Sequence, residues 1–200
     1  MRVFYFTIAG AILGLFAGLA SAILMSGITP GGLDRAETVS INRWVSDWSI
    51  GSEASGRYVK AWVARHGLLA MRKSEAVYFI RNVDDDGQPL TEQCQYRVSG
   101  GDLPSGWWSI TLYDRLGYLP MNADAHLSVD ATDATGAAWA FDVAATRPEG
   151  NTLWLSSAKA EGFDLTLRLY QPDQSFLDAP LAELGFPSVQ RLSCDGEAGS

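Results

Sequence analysis

From Val3 to Met25 the chain runs 23 residues without a charge, rich in Leu, Ile, Phe, Ala and Gly. At about 1.5 Å of rise per residue, a helix of that length covers the roughly 30 Å hydrocarbon core of a bilayer. Arg2 and the amino terminus are the only positive charges ahead of it. Basic flanks stay cytoplasmic, which predicts a single-pass chain with residues 26–200 on the far side of the membrane. Ala20-Ser21-Ala22 also fits a signal-peptidase site, so residues 1–22 could instead be removed. The length of the apolar run favours a retained anchor through residues 3–25. Gly10, Gly14 and Gly18 share one helix face that could admit a second helix, although small residues are common in such segments.

Beyond the anchor the charge is lopsided. Of the 15 Lys+Arg only Arg2 precedes residue 26, so residues 26–200 set 14 basic against 23 acidic residues, a net −9. Such a domain repels nucleic acid and anionic membrane surfaces. Its length suits one domain with its own core, and seven tryptophans, from Trp44 to Trp154, are available to fill that core or line a groove. Cys94 and Cys194 are the two cysteines. In an oxidising compartment they read most simply as a disulfide closing a loop of about 100 residues, the alternative being two unlinked buried thiols. With two distant histidines they make no four-ligand metal cluster, and no cofactor is implied.

Thr29-Pro30-Gly31-Gly32 reads as a linker. Residues 34–48 fit a helix, with Ile41, Trp44, Val45 and Trp48 on one side. Residues 52–66 fit a second helix, capped at Ser52 or Ser55 and ended by Gly67. From Ser74 the period changes to two. Residues 75–81 read as a strand, Asp84-Asp85-Asp86-Gly87 as a turn, and 93–98 as the returning partner. Residues 107–114 form the strongest strand. Residues 126–130 and 138–144 read as a hairpin, 153–155 as a short strand, and 163–170 alternates Phe163, Leu165, Leu167 and Leu169 against Asp164, Thr166, Arg168 and Tyr170. The expected fold is mainly β: an antiparallel sandwich or jelly roll, with one or two helices after a single transmembrane helix. The expected domains are an anchor or signal over 1–25, linker and short helix over 26–49, a β-sandwich over 50–195 and a disordered tail over 196–200.

Gly106-Trp107-Trp108-Ser109-Ile110-Thr111-Leu112-Tyr113-Asp114, followed by Phe163-Asp164-Leu165-Thr166-Leu167-Arg168-Leu169-Tyr170-Gln171-Pro172, resembles the bacterial family of domain of unknown function 1214. Ser74 to Tyr78, Asp86 to Leu90 and Asn151 to Leu155 fit its pattern in the same order, so the resemblance spans roughly residues 50 to 194. It implies an antiparallel β domain in a protein of the bacterial cell envelope, hence an inner-membrane anchor and a periplasmic domain. In larger relatives the domain follows another uncharacterised domain, which implies by analogy a separately encoded envelope protein as partner here. The family brings no catalytic residues.

The residues themselves offer little chemistry. There is no Gly-x-Ser-x-Gly, no His-Glu-x-x-His and no Walker loop. His66 suits the last turn of a helix, and His126 opens a strand with no nucleophile motif beside it. The acidic turn at 84–87 lacks the alternating ligands of a calcium loop. The best candidate binding residues are Trp107, Tyr113, Asp114, Arg168 and Tyr170, on or beside the polar faces of the two motif strands. If those faces share a concavity, Arg168 could meet a carboxylate while the rings stack on a sugar or lipid. The plainer alternative makes Arg168 a partner of Asp164, Glu75 or Asp114 on an ordinary sheet. The preferred function is a membrane-anchored, periplasm-facing structural or interaction module. The alternatives are a carbohydrate- or lipid-binding module and a hydrolase using carboxylates such as Asp114 and Glu75.

Overall fold

In the computed structural model the described residues are 2–25, 38–48, 71–134, 136–150, 153–180 and 185–195. The chain divides into two units, one containing the N-terminal helix and the other residues 38–47 and 71–200. The helix, α1 (Arg2–Met25), carries a 20-residue span, Phe4–Ile23, long and apolar enough to cross a membrane. None of that span is buried by the protein. Phe6 and Leu13 are 77% and 74% exposed, which a core helix would not tolerate. Thr7 turns its hydroxyl back to the Phe4 carbonyl, so the helix satisfies its own polar group.

The second unit is built from two sheets. One has six antiparallel strands in the order β1 (Thr38–Ile41), β2 (Trp44–Asp47), β3 (Ala76–Arg81), β9 (Phe163–Pro172), β5 (Ser105–Asp114), β6 (Ser128–Asp130). The other runs β10 (Ser188–Cys194), β4 (Cys94–Gly101), β7 (Ala138–Ala144), β8 (Trp154–Ser156). A short helix, α2 (Gln174–Asp178), follows β9 and buries Phe176. The period-two pattern of β9 faces inward as expected: Phe163, Leu165, Leu167 and Leu169 are buried. They meet the other sheet across the core, where Tyr96 packs edge-on to Phe163 at 5.9 Å and Trp108 stacks on Trp139 at 4.4 Å.

Several expectations change. Residues 38–47 form a hairpin, not part of a helix. Its tip places both Asn42 (φ 46°) and Arg43 (φ 64°) in the left-handed region, as a tight two-residue hairpin turn requires. Distant backbone holds that geometry: Asn42 Nδ2 donates to the carbonyls of Phe186 and Pro187, and buried Trp44 donates Nε1–H to Pro187 at 2.8 Å. The apolar spacing that resembled a helix serves to bury Ile41 and Trp44. The expected helix over 52–66, with His66, and the tail 196–200 lie outside the described residues.

The turn at 84–87 is present, with Gly87 at φ +83° and Gly87 N–H donating to Asp84 C=O. It closes only the bridge Val83–Pro89, after which the chain crosses to the other sheet. Hence β3 pairs with β2 and β9, and β4 with β10 and β7, instead of with each other. For the same reason β6 joins β5 while β7 joins β4, so 126–130 and 138–144 are not a hairpin. The β8 strand runs parallel to β7. Strand β10 was not foreseen at all.

Two devices fasten the C-terminal strand. Cys94 and Cys194 are direct cross-strand partners joined by the expected disulfide, their Cα atoms 3.9 Å apart. Arg81, with no exposed side-chain surface, donates Nε to Val83 C=O, Nη1 to the carbonyls of Asn42 and Pro187, and Nη2 to Asp85 Oδ1 at 2.6 Å. Asp85 Oδ1 also accepts Val189 N–H. Fully buried Asp84 accepts the N–H groups of Asp86 and Gln88 on Oδ1, and Arg191 Nη2 lies 2.7 Å from its Oδ2. Burial pulls Arg81 below the usual arginine range, while the bond to Asp85 pushes back.

Candidate functional site

Strand β9 lies between β3 and β5, so its outward residues acquire neighbours on both sides. Arg168 is paired across to Tyr78 and Ser109, Tyr170 to Ala76 and Trp107, Thr166 to Ile80 and Thr111, and Asp164 to Tyr113. Alternation puts Trp107, Ser109, Thr111 and Tyr113 on the face shared with Arg168 and Tyr170. The result is one sheet face instead of two walls of a concavity, because the motif strands are neighbours in a single sheet; on it Trp107 is exposed while Ser109 and Thr111 are buried.

Arg168 is half-buried at the centre of this face. Its Nη1 donates to Thr111 Oγ1 at 2.8 Å and its Nη2 to the Tyr113 hydroxyl at 2.5 Å. The guanidinium carbon lies 5.4 Å from the Tyr113 ring centre and 5.9 Å from that of Tyr78. Farther along, the Trp107 and Tyr170 rings sit 5.2 Å apart, with Trp107 38% exposed. Burial raises the Tyr78 phenol, with Tyr170 adding to the effect and Arg168 opposing it. The phenol therefore stays protonated at neutral pH.

The carboxylates proposed for Arg168 are engaged elsewhere. Asp114 Oδ1 accepts the N–H groups of Leu116 and Tyr118, shaping the loop after β5. That loop displays Leu116, Tyr118, Leu119 and Met121, 47–86% exposed. Glu75 accepts the N–H of Arg72. Asp164 sits at the Tyr113 end, where burial raises its pKa, Arg115 lowers it and Asp114 raises it. A Cβ at Gly162 would collide with the Arg115 side chain, so that glycine lets the guanidinium lie down beside Asp164. Asp114 is opposite Phe163, whereas Glu75 bonds Gln171 through its backbone, eight residues along β9. At 3.3 Å per residue they stand about 25 Å apart, too far to act as the acid pair of a hydrolase.

Of the five residues singled out from the sequence, the structure gathers Trp107, Tyr113, Arg168 and Tyr170 and turns Asp114 to its loop. Thr111, on the polar face read from the sequence, belongs to the cluster, and so does Tyr78, which was not singled out. The period-two pattern of residues 75–81 puts Tyr78 on an outward face, but only the register brings it beside Arg168. His126 packs its ring 5.6 Å from Trp154. The buried Ser156 nearby donates its hydroxyl to Asp124 Oδ2 at 2.7 Å, so that proton goes to the carboxylate and not to the imidazole. Among the described residues no group of three His, Cys, Asp or Glu could hold a metal ion.

The fold and this face define a two-sheet, disulfide-linked β-sandwich domain with an open aromatic and arginine surface. The chain belongs to the family described as Protein of unknown function (DUF1214), whose model matches residues 75–174. No curated protein matches it. Four solved chains do. The VPA0106 protein from Vibrio parahaemolyticus is 17% identical with a TM-score of 0.57, over 70% of this chain and 36% of that one. A putative uncharacterized protein from Burkholderia cenocepacia is 16% identical with a TM-score of 0.45, over 59% of this chain and 30% of that one. The chain thus spans about a third of the length of these solved proteins, and the likeness to the VPA0106 protein is one of fold.

Proposed function

We propose that this protein is a membrane-anchored module of the bacterial cell envelope, its β-sandwich held in the periplasm to engage a separate partner protein. The observation that carries the reading is the outer face around Arg168. Trp107 there is exposed and Tyr78, Tyr113 and Tyr170 are half-buried, and Trp, Tyr and Arg are the residues that dominate protein interfaces. The apolar loop carrying Leu116, Tyr118 and Met121 adjoins the Tyr113 end and extends the surface. The apolar span Phe4–Ile23 and the Cys94–Cys194 bond both support export to an oxidising space.

The test places a photo-crosslinking residue at Trp107, Tyr170 or Leu116 of the full chain in living cells. The expected result is one discrete adduct shared by the three positions and absent with the probe at Gln190 on β10. Equal labelling at all positions, or none, sinks the reading. Protease added outside the inner membrane should digest the sandwich, and its protection there would refute the orientation. A saccharide-binding reading has its own support in the exposed Trp107–Tyr170 pair, a platform on which a sugar ring could stack.

A further inference from the structure

We infer that Arg168 is a socket for a carboxylate, and that the partner fills it with an aspartate or glutamate side chain. The inference rests on the reading of this face as a partner surface. Arg81, Arg97 and Arg191 each meet a carboxylate, Asp85, Asp142 and Asp84 respectively. Among the described residues Arg168 meets none, although it is half-buried and lies on the central strand of the larger sheet. Thr111 and Tyr113 use two of its five N–H groups, leaving three donors and the full positive charge. Those two hydroxyls fix the plane of the fork, and the rings of Tyr78 and Tyr113 limit its access to water. A planar carboxylate matches such a fork with two parallel bonds.

The other acids of this face leave the place open. Asp130, two strands from Arg168 through Ser109, accepts the N–H and the hydroxyl of Thr132 on Oδ1. Asp164 lies four residues along β9, about 13 Å away, beside Arg115. The overall negative charge of the domain does not exclude an acidic group here, because charges beyond about 8 Å are screened at physiological salt. The aromatic side chains around Arg168, of the kind that dominate protein interfaces, favour a protein side chain over a free metabolite.

The experiment follows two resonances of the full chain in detergent micelles during titration: Arg168 Nε–H in the wild type, and the Trp107 indole N–H in both the wild type and R168K. The probes are the capped peptides Ac-Ala-Glu-Ala-NH2 and Ac-Ala-Gln-Ala-NH2, and galacturonate. The glutamate peptide should saturate the shift, with the glutamine peptide about tenfold weaker and R168K about tenfold weaker for the glutamate peptide. No shift up to about 50 mM peptide, equal shifts from the two peptides, or an R168K protein that binds as wild type would overturn the inference. Saturation by galacturonate but not by the glutamate peptide would overturn it in favour of a saccharide site. The peptide arms need no variant, so a misfolded mutant cannot obscure the outcome. Crosslinking from Trp107 can succeed while these titrations fail, which would leave the partner surface standing and remove the carboxylate from it.

Discussion

Arg81 and Arg168 occupy adjacent strands of one sheet, and the fold treats them in opposite ways. Arg81 is enclosed, and its donors are matched to Asp85 and to carbonyls at positions 42, 83 and 187. Arg168 is left half-open, bonded only to two neutral hydroxyls. The first arrangement ties together pieces far apart in sequence: the N-terminal hairpin, the acidic turn and the entry to β10. Positions 42 and 187 lie outside the stretch that the family model matches, so Arg81, inside it, fastens segments that flank it in this chain. The second arrangement joins only neighbours within the sheet and leaves donors unspent. A buried guanidinium must be satisfied inside the protein, whereas one at a sheet surface can wait for a partner.

The contrast can be broken by measurement. The largest effect is expected from C94S/C194S. Losing a loop constraint of about 100 residues should cost about 4–5 kcal/mol in chemical unfolding, and a loss below about 1 kcal/mol would make the β10 tether redundant. Next, Arg81→Met takes a donor from the carbonyls of Asn42, Val83 and Pro187, the last still held by Trp44, and uncouples Asp85. It should cost about 3–5 kcal/mol, with protease sensitivity appearing first at residues 38–47 and 185–194. Arg168→Gln removes bonds to two neutral hydroxyls, that of buried Thr111, which also meets Ser128, and that of half-buried Tyr113, and should cost about 1 kcal/mol. A cost equal to that of Arg81→Met would erase the distinction between the two sites.

The smallest effect concerns acidity. Burial raises the Asp164 pKa in the folded protein above its value in the unfolded chain, so the native state binds the proton more tightly. Stability should therefore fall as pH rises from the unfolded aspartate range through the raised folded value, and the full cost persists at neutral pH. Asp164→Asn should raise the melting temperature at pH 7, with the gain shrinking as pH drops toward 4. A lower melting temperature at pH 7, with the loss fading on acidification, would reverse the sign and reassign the dominant influence to Arg115.

Strands whose burial is local were legible beforehand. The alternation from Phe163 to Tyr170 gives both the strand and its inward face, since each side chain of a pleated strand must choose one side. The turn at Asp84–Gly87 was legible because Gly supplies the positive φ it needs. Which sheet each strand enters was not, because a turn signal does not say whether the chain folds back or crosses the core. The hairpin at 38–47 was misread because its stability comes from carbonyls at 186 and 187, almost 150 residues away. The same holds at the candidate site. Trp107, Tyr113, Arg168 and Tyr170 could be grouped from alternation, but Tyr78 could not.

The sequence by itself determined an apolar span fit for a membrane, a cysteine pair fit to bond, a β-rich core and the residues of one polar strand face, all of which follow from composition and short-range periodicity. Only the tertiary structure decided the sheet order, the enclosure of Arg81 and the openness of Arg168. Those outcomes depend on cross-strand register and on segments distant in the chain, and register places side chains beside one another in a way that no local pattern encodes.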